Sequence, residues 1–406
     1  MRVAIVLAAA VLMTAALAPP SAQAADPQRL YANFPLLIDP APPNDRSPFQ
    51  FSAHHIRDDS NAVALHMEFF GVPWREFGAG INPPEAWLRQ MDAVRGLEER
   101  LGLPVYLALT PIDGSRDRLA SNPAGTYALT QDDSFGARCE PIDTRPDYET
   151  VVRPGFERYV SYMIQRFQPR FVALSVEVNI YKTFCPAAWI AMQQLLNETY
   201  DRVKLEHPGL PVFHTFQTEF LWLSESSSSP CFGFHRECLV YNIQELAGLR
   251  SDLYALSSYP AATFLNAGRQ LPDDYLTAIA SLSGKPIAIS ETAYPAVTYI
   301  TPSGGTCVPI QPSSVIDQAW WMARMLRDAA RVQMPFVVWW ANEDLLPGSV
   351  VASCNCPDNS IWCNFLNLLD DAGRNTLRGD GGMGLRTYDG DARPAHDLWR
   401  HAVEQR

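Results

Sequence analysis

The sequence predicts a (β/α)8 TIM barrel, an α/β fold built as a single domain with long βα loops. Three observations lead there. Short runs rich in β-branched and aromatic residues alternate with amphipathic stretches along most of the chain. Several of these runs are continuously apolar, the pattern of parallel strands buried on both faces. Eight such runs can be counted, and eight parallel strands close naturally into a barrel. An open doubly wound sheet would carry Gly-x-Gly-x-x-Gly after an early strand, and the sequence has none.

The eight predicted strands are Pro35–Asp39, Ala62–Phe70, Val105–Thr110, Phe171–Glu177, Val212–Gln217, Leu253–Tyr259, Ile287–Glu291 and Phe336–Trp340. Helical spacing of apolar residues fills the gaps. Glu85–Leu101 follows Pro83-Pro84 and stops at Gly102, a proline start and a glycine stop. Tyr159–Phe167, Ala187–His207, Asp273–Leu282, Ser314–Val332 and Ala395–Glu404 read the same way. Long polar insertions, 114–150, 221–240, 298–312 and 343–384, follow strands three, five, seven and eight. Each sits after the C-terminal end of a strand, where barrel enzymes build their sites. The serine run at 226–229 reads as a local loop rather than a domain boundary.

Residues 1–24 read as a cleavable signal peptide, leaving 25–406 as the barrel domain. Arg2 gives a positive start, and Val3–Leu17 is apolar except for Thr14. Ala22-Gln23-Ala24 then offers a small-x-small cleavage site. The run is short of the roughly 20 residues a spanning helix needs. The expected location is therefore secreted or periplasmic, with no membrane segment after cleavage. The eight cysteines, an even count in an exported chain, point to disulfides. Cys231 and Cys238 share one loop-like segment and are close enough to pair, while Cys354, Cys356 and Cys363 crowd another. Their spacing fits no common zinc pattern. A net charge of −12 opposes nucleic acid and anionic membranes as partners. No signature of an oligomeric state is visible.

The chemistry lies at the strand ends. Strand four closes Leu174-Ser175-Val176-Glu177-Val178-Asn179, and strand seven closes Ile287-Ala288-Ile289-Ser290-Glu291-Thr292. Each places one carboxylate at the end of a run too apolar for a solvated face, where an unpaired charge is costly. Two carboxyl groups facing each other across a barrel mouth suit retaining glycoside cleavage. That reaction needs them about 5–5.5 Å apart, one protonated and one ionised.

These runs resemble motifs of glycoside hydrolase clan A, and most closely the family 53 endo-β-1,4-galactanases. Ser175-Val176-Glu177-Val178-Asn179 is similar to the strand-four acid/base motif, and Ile287 through Pro295 to the strand-seven nucleophile motif. Ser257-Ser258-Tyr259-Pro260 resembles the strand-six motif, whose tyrosine bonds the nucleophile. Val337-Val338-Trp339-Trp340 resembles the strand-eight motif, whose tryptophan floors the sugar site. The stretch from Gly384 to Trp399 resembles the common clan ending. The resemblance implies Glu177 as acid/base, Glu291 as nucleophile, Tyr259 as its hydrogen-bond donor, and a β-linked carbohydrate as substrate without a cofactor. One position departs from the pattern: Val176 stands where the clan has an Asn that binds the sugar 2-hydroxyl. Asn179 is the nearest substitute in sequence.

Further substrate-binding candidates are His66 and Glu68 on strand two, Gln217 and Glu219 after strand five, and Asn342 and Asp344 after strand eight. Trp339 or Trp340 is expected to stack on sugar, with Trp74 and Trp222 as weaker platforms. A non-catalytic sugar-binding barrel is the rival reading, motivated by Val176. No metal site is expected, because no His-x-His exists and adjacent His54-His55 would diverge on a strand. A serine esterase lacks its Gly-x-Ser-x-Gly elbow.

Overall fold

The computed structural model describes residues 29–38, 49–123, 135–224, 233–263, 270–303, 306–353, 361–367, 378 and 381–405. The predicted leader, the serine run, Cys231, Cys354 and Cys356 lie outside the described residues.

Eight strands form a closed barrel: β1 (Leu30–Phe34), β2 (Ala62–His66), β3 (Val105–Ala108), β4 (Phe171–Ala173), β5 (Val212–Gln217), β6 (Tyr254–Ser258), β7 (Ile287–Thr292) and β8 (Phe336–Ala341). Neighbours in sequence are neighbours in space, every pair is parallel, and β8 closes against β1. Alternation along each strand divides its side chains between two layers. Inside the barrel, Tyr106, Phe171, Phe213 and Phe336 interlock with ring centroids 4.7–5.9 Å apart. Alanines 32, 62, 64, 108, 173, 255 and 288 complete the same layer, so small residues make room for large ones. Truncating one of these rings to alanine would cost about 3–5 kcal/mol.

The outer layer packs under the helices. Glu85–Leu101 buries Trp87, Met91, Val94, Leu97 and Leu101 on one face, and Gly102 ends it at φ 61° with its N–H bonded to the Glu98 carbonyl. Val315–Arg331 starts at Ser314, whose hydroxyl accepts the Asp317 N–H. It buries Trp321, whose indole N–H donates to Thr292 Oγ1 at 3.0 Å, directly behind the strand-seven carboxylate.

The first predicted strand is displaced. The barrel strand is Leu30–Phe34, whereas Leu36–Ile38 pairs antiparallel with Phe49–Phe51 in a separate hairpin. Pro35 explains the break, since proline cannot donate to a ladder bonded on both sides. Three predicted strands also end early. Ala62–Phe70 gives way to a 3-10 turn at Glu68–Phe70, Val105–Thr110 stops at Ala108, and Phe171–Glu177 stops at Ala173. The insertion after strand seven carries its own hairpin, Tyr299–Ser303 with Thr306–Gln311. The one after strand five carries the pair Leu223–Ser224 with Gly233–Phe234 and the helix Arg236–Glu245.

One disulfide, Cys139–Cys185, joins two segments 46 residues apart in sequence. Cys238 and Cys363 are also disulfide-bonded. The expected Cys231–Cys238 pairing lies outside the described residues.

Candidate active site

Backbone geometry places the strand-four carboxylate. After Ala173 the chain keeps sheet-like bonds through Leu174 and Ser175. Glu177 then turns left-handed, at φ 50° and ψ 42°, and starts the helix Val178–Phe184. A non-glycine residue pays about 1–3 kcal/mol for such a conformation. Its N–H donates to Thr215 Oγ1 at 2.7 Å, which holds the turn in place. Ser257 Oγ, from β6, donates to Glu177 Oε1 at 2.6 Å. Arg116 reaches Glu177 Oε2 at 3.2 and 3.3 Å.

Arg116 comes from the insertion after β3, in a tight turn where its N–H donates to the Asp113 carbonyl. Its Nη1 also donates to Glu68 Oε2 at 2.6 Å, so one guanidinium bridges two carboxylates. Burial opposes a charged guanidinium, but Glu68 and Glu177 outweigh it and raise its pKa. Burial would also raise Glu68. The charge and the hydrogen bond of Arg116 hold it below its usual value instead.

Glu291, on β7, is buried opposite this cluster. Tyr259 OH donates to its Oε1, and His66 Nδ1 lies 3.6 Å from its Oε2. Burial pushes the Glu291 carboxyl well above the usual range, and repulsion from Glu177 and then Glu68 adds to it. The Tyr259 hydrogen bond and the Arg116 charge offset part of this. Burial also pushes His66 down to about 4, so its imidazole is neutral.

Glu219 supports the tyrosine. Its Oε1 accepts the Tyr259 N–H at 2.8 Å, Tyr275 OH at 2.6 Å and Ser258 Oγ at 3.2 Å. Burial raises it to about 7 despite those bonds. Thr292 Oγ1 donates to the Ser258 carbonyl at 2.6 Å and ties β7 to β6. Glu219, Tyr259 and Glu291 thus form one connected chain.

Among the predicted residues, the fold brings together Glu177, Glu291, Tyr259, His66, Glu68 and Trp340. Trp340 packs on Phe34 at 4.5 Å and edge-on to His66 at 5.7 Å. Other candidates are occupied elsewhere. Asn179 spends its amide on the Gln217 backbone, accepting from its N–H at 2.8 Å and donating to its carbonyl at 2.9 Å. It therefore does not replace the Asn absent at Val176, which is itself packed inside the barrel. Gln217 caps the next helix by accepting the Phe220 N–H. Trp339 is fully buried and donates to the Met383 carbonyl, because alternation along β8 turns it away from the mouth. Trp74 and Trp222 likewise donate to backbone carbonyls in the core. Asp344 is paired with Arg393. Asn342 is 3% exposed, and neither of its amide atoms has a hydrogen-bond partner.

Sequence reasoning missed Arg116, Ser257 and Thr215. Period-two alternation back from Tyr259 would have found Ser257, and the same step back from Gln217 gives Thr215. Arg116 lies in an irregular loop and had no such signal.

The fold is a closed (β/α)8 barrel whose mouth gathers Glu177, Glu291, Glu68 and Arg116. No family model matches the chain, and no curated protein matches its sequence. Solved structures do match in fold. A family 5, subfamily 18 glycoside hydrolase variant from Streptomyces cattleya, in complex with Manβ1-4GlcNAc, is 14% identical, with 93% of this chain and 81% of that chain covered at a TM-score of 0.53. A subfamily 18 structure from Bifidobacterium longum subsp. infantis is 12% identical, with 86% and 71% covered at 0.50. The family 53 catalytic domain from Ignisphaera aggregans is 15% identical, with 84% and 85% covered at 0.47. Among the described residues no helix is long and apolar enough to cross a membrane.

Proposed function

We propose that the chain is an exported retaining glycoside hydrolase acting on a β-linked oligo- or polysaccharide. The observation that carries this reading is the buried pair Glu177 and Glu291. They follow β4 and close β7 at one end of the barrel, and burial first and repulsion from Glu177 second raise the Glu291 carboxyl. Glu177 protonates the departing glycosidic oxygen while the Glu291 carboxylate attacks the anomeric carbon. The resulting glycosyl ester is opened by a water whose proton returns to Glu177. Tyr259 steadies the Glu291 carboxylate, and Trp340 offers an apolar face to a sugar ring.

Two features of the free protein oppose these roles: burial raises the Glu291 carboxyl that must attack in its ionised form, and Arg116 is bonded to the Glu177 oxygen that must carry the proton. The reaction therefore needs Glu291 ionised and the Glu177 contact with Arg116 loosened. That requirement, together with Val176, favours a second reading: a carbohydrate-binding barrel that does not turn over. Hydrolysis of a panel of aryl β-glycosides and β-linked polysaccharides separates the two. The expected result is cleavage of one substrate class by the wild type, lowered about 10²–10⁴-fold or more in Glu177→Gln and Glu291→Gln. Saturable oligosaccharide binding with no cleavage across the panel would establish the second reading instead.

A further inference from the structure

At the rim between β1 and β8, three side chains converge that the proposed reaction does not use. His54 and His55 do not lie on a strand. They occupy a turn, and His55 is left-handed at φ 55°. That conformation brings the two imidazoles together, with ring centroids 3.9 Å apart, where strand geometry would have set them on opposite sides. The expectation that they diverge is thus corrected. Glu343 follows β8 directly and meets both: its Oε1 lies 2.7 Å from His54 Nδ1 and 3.5 Å from His55 Nε2.

The three ligand atoms lie within 4.8 Å of one another. Ligands 2.0–2.1 Å from a tetrahedral ion would stand about 3.4 Å apart, so small side-chain rotations suffice. Two further observations point to an occupant. Gly390, at φ 90°, leaves His55 Nε2 open, whereas a Cβ there would approach it to 3.3 Å. Asn342, with its buried amide unpartnered, lines a cleft of about 270 Å³ together with His54 and Glu343.

The backbone around the three residues is firmly held. Asp59, four residues after His55, is fully buried and pairs with Arg386 at 2.7 and 2.9 Å and with His396 at 2.8 Å. Arg386 bridges the Glu343 strand segment and donates to the Gly390 carbonyl. One ion pair thus ties together the segments that carry His55, Glu343 and Gly390.

We propose that His54 Nδ1, His55 Nε2 and Glu343 Oε1 bind a divalent transition-metal ion of the Zn²⁺ class. Two imidazole nitrogens and one carboxylate oxygen suit such an ion and leave a fourth position for water or a sugar hydroxyl. Asn342 stands beside that position as a second polar contact. The site is separate from Glu177 and Glu291 and supplies no step of glycoside cleavage.

The test is calorimetric titration of the chelator-treated full chain with Zn²⁺, and of Co²⁺ followed by its visible absorption. The expected result is one saturable equivalent, with a Co²⁺ band indicating nitrogen and oxygen ligands. Glu343→Gln, and His55→Asn, which tolerates the left-handed backbone, should weaken binding about 100-fold or more. Glu177→Gln should leave it unchanged, which separates this site from the catalytic reading. Melting of each variant in chelator verifies that it is folded. Absence of saturable binding, or binding equal to wild type in both folded ligand variants, overturns the proposal in favour of a simple His54–Glu343 ion pair.

Discussion

Tyr259 and Glu291 show how one hydrogen bond shifts the titration of a buried carboxyl. The phenol donates to the carboxylate and lowers a pKa that burial and Glu177 push upward. Tyr259→Phe removes only that donor. The ionised fraction of Glu291 at a given pH should fall, so the acidic side of the kcat/KM profile should move to higher pH. A pH–rate series on both proteins checks the sign, and an unmoved profile would separate Tyr259 from the titration. Arg116 acts at the same scale with a larger effect. It is the cation between Glu68 and Glu177, and all three are nearly enclosed. Arg116→Met leaves two buried carboxylates uncompensated and should destabilise the fold by about 3–5 kcal/mol in denaturant titration. Adding Glu68→Gln to that variant should restore part of the loss, because it removes one of the two stranded charges.

The element that delivers Arg116 is the loop after β3, and the Cys139–Cys185 bridge pins it. Cys185 ends the helix that Glu177 begins, and the Cys139 N–H donates to the Asp117 carbonyl at 2.6 Å, one residue beyond Arg116. The bridge therefore fastens the arginine loop to the helix of its carboxylate partner. Closing a loop of 46 residues should contribute about 4 kcal/mol through the unfolded chain. Cys139→Ser with Cys185→Ser should lose roughly that much in denaturant unfolding, and reductant should lower wild type toward the variant. None of this was legible in the sequence, where eight cysteines permit many pairings and a loop arginine has no periodicity. The strands were legible because burial on both faces writes a continuous apolar run. Glu177 and Glu291 stood out because each ends such a run with a charge. The misread elements broke the regular geometry that the reading assumed: Pro35 moved the first strand, a left-handed Glu177 ended the fourth early, and a left-handed His55 turned two rings to one side.

Across the whole molecule, buried ionisable groups pull the pH dependence of stability in opposite directions. His66 and His214 are neutral in the fold, pushed by burial to about 4 and about 3. The unfolded chain binds more protons at these sites, so they lower stability as pH falls below about 6.5. Glu219 does the reverse. Its folded pKa of about 7 lies above its ordinary value of 4.5, so the folded protein holds a proton that the unfolded chain releases between those values. Stability from this group is present below the unfolded pKa and is lost as pH rises through the window to 7. Its Oε2 is buried without a partner, while Oε1 takes all three hydrogen bonds. Glu219→Gln keeps an acceptor for those three donors and carries no titrating proton. Because the histidines are common to both proteins, the difference between their stability curves isolates the glutamate. Relative to wild type, Glu219→Gln should gain stability as pH rises from about 4.5 to 7, by an amount on the order of a few kcal/mol. Denaturant midpoints across that range measure it. A difference that stays flat with pH would mean that Glu219 titrates in the fold as it does in the unfolded chain, and that its three hydrogen bonds outweigh its burial.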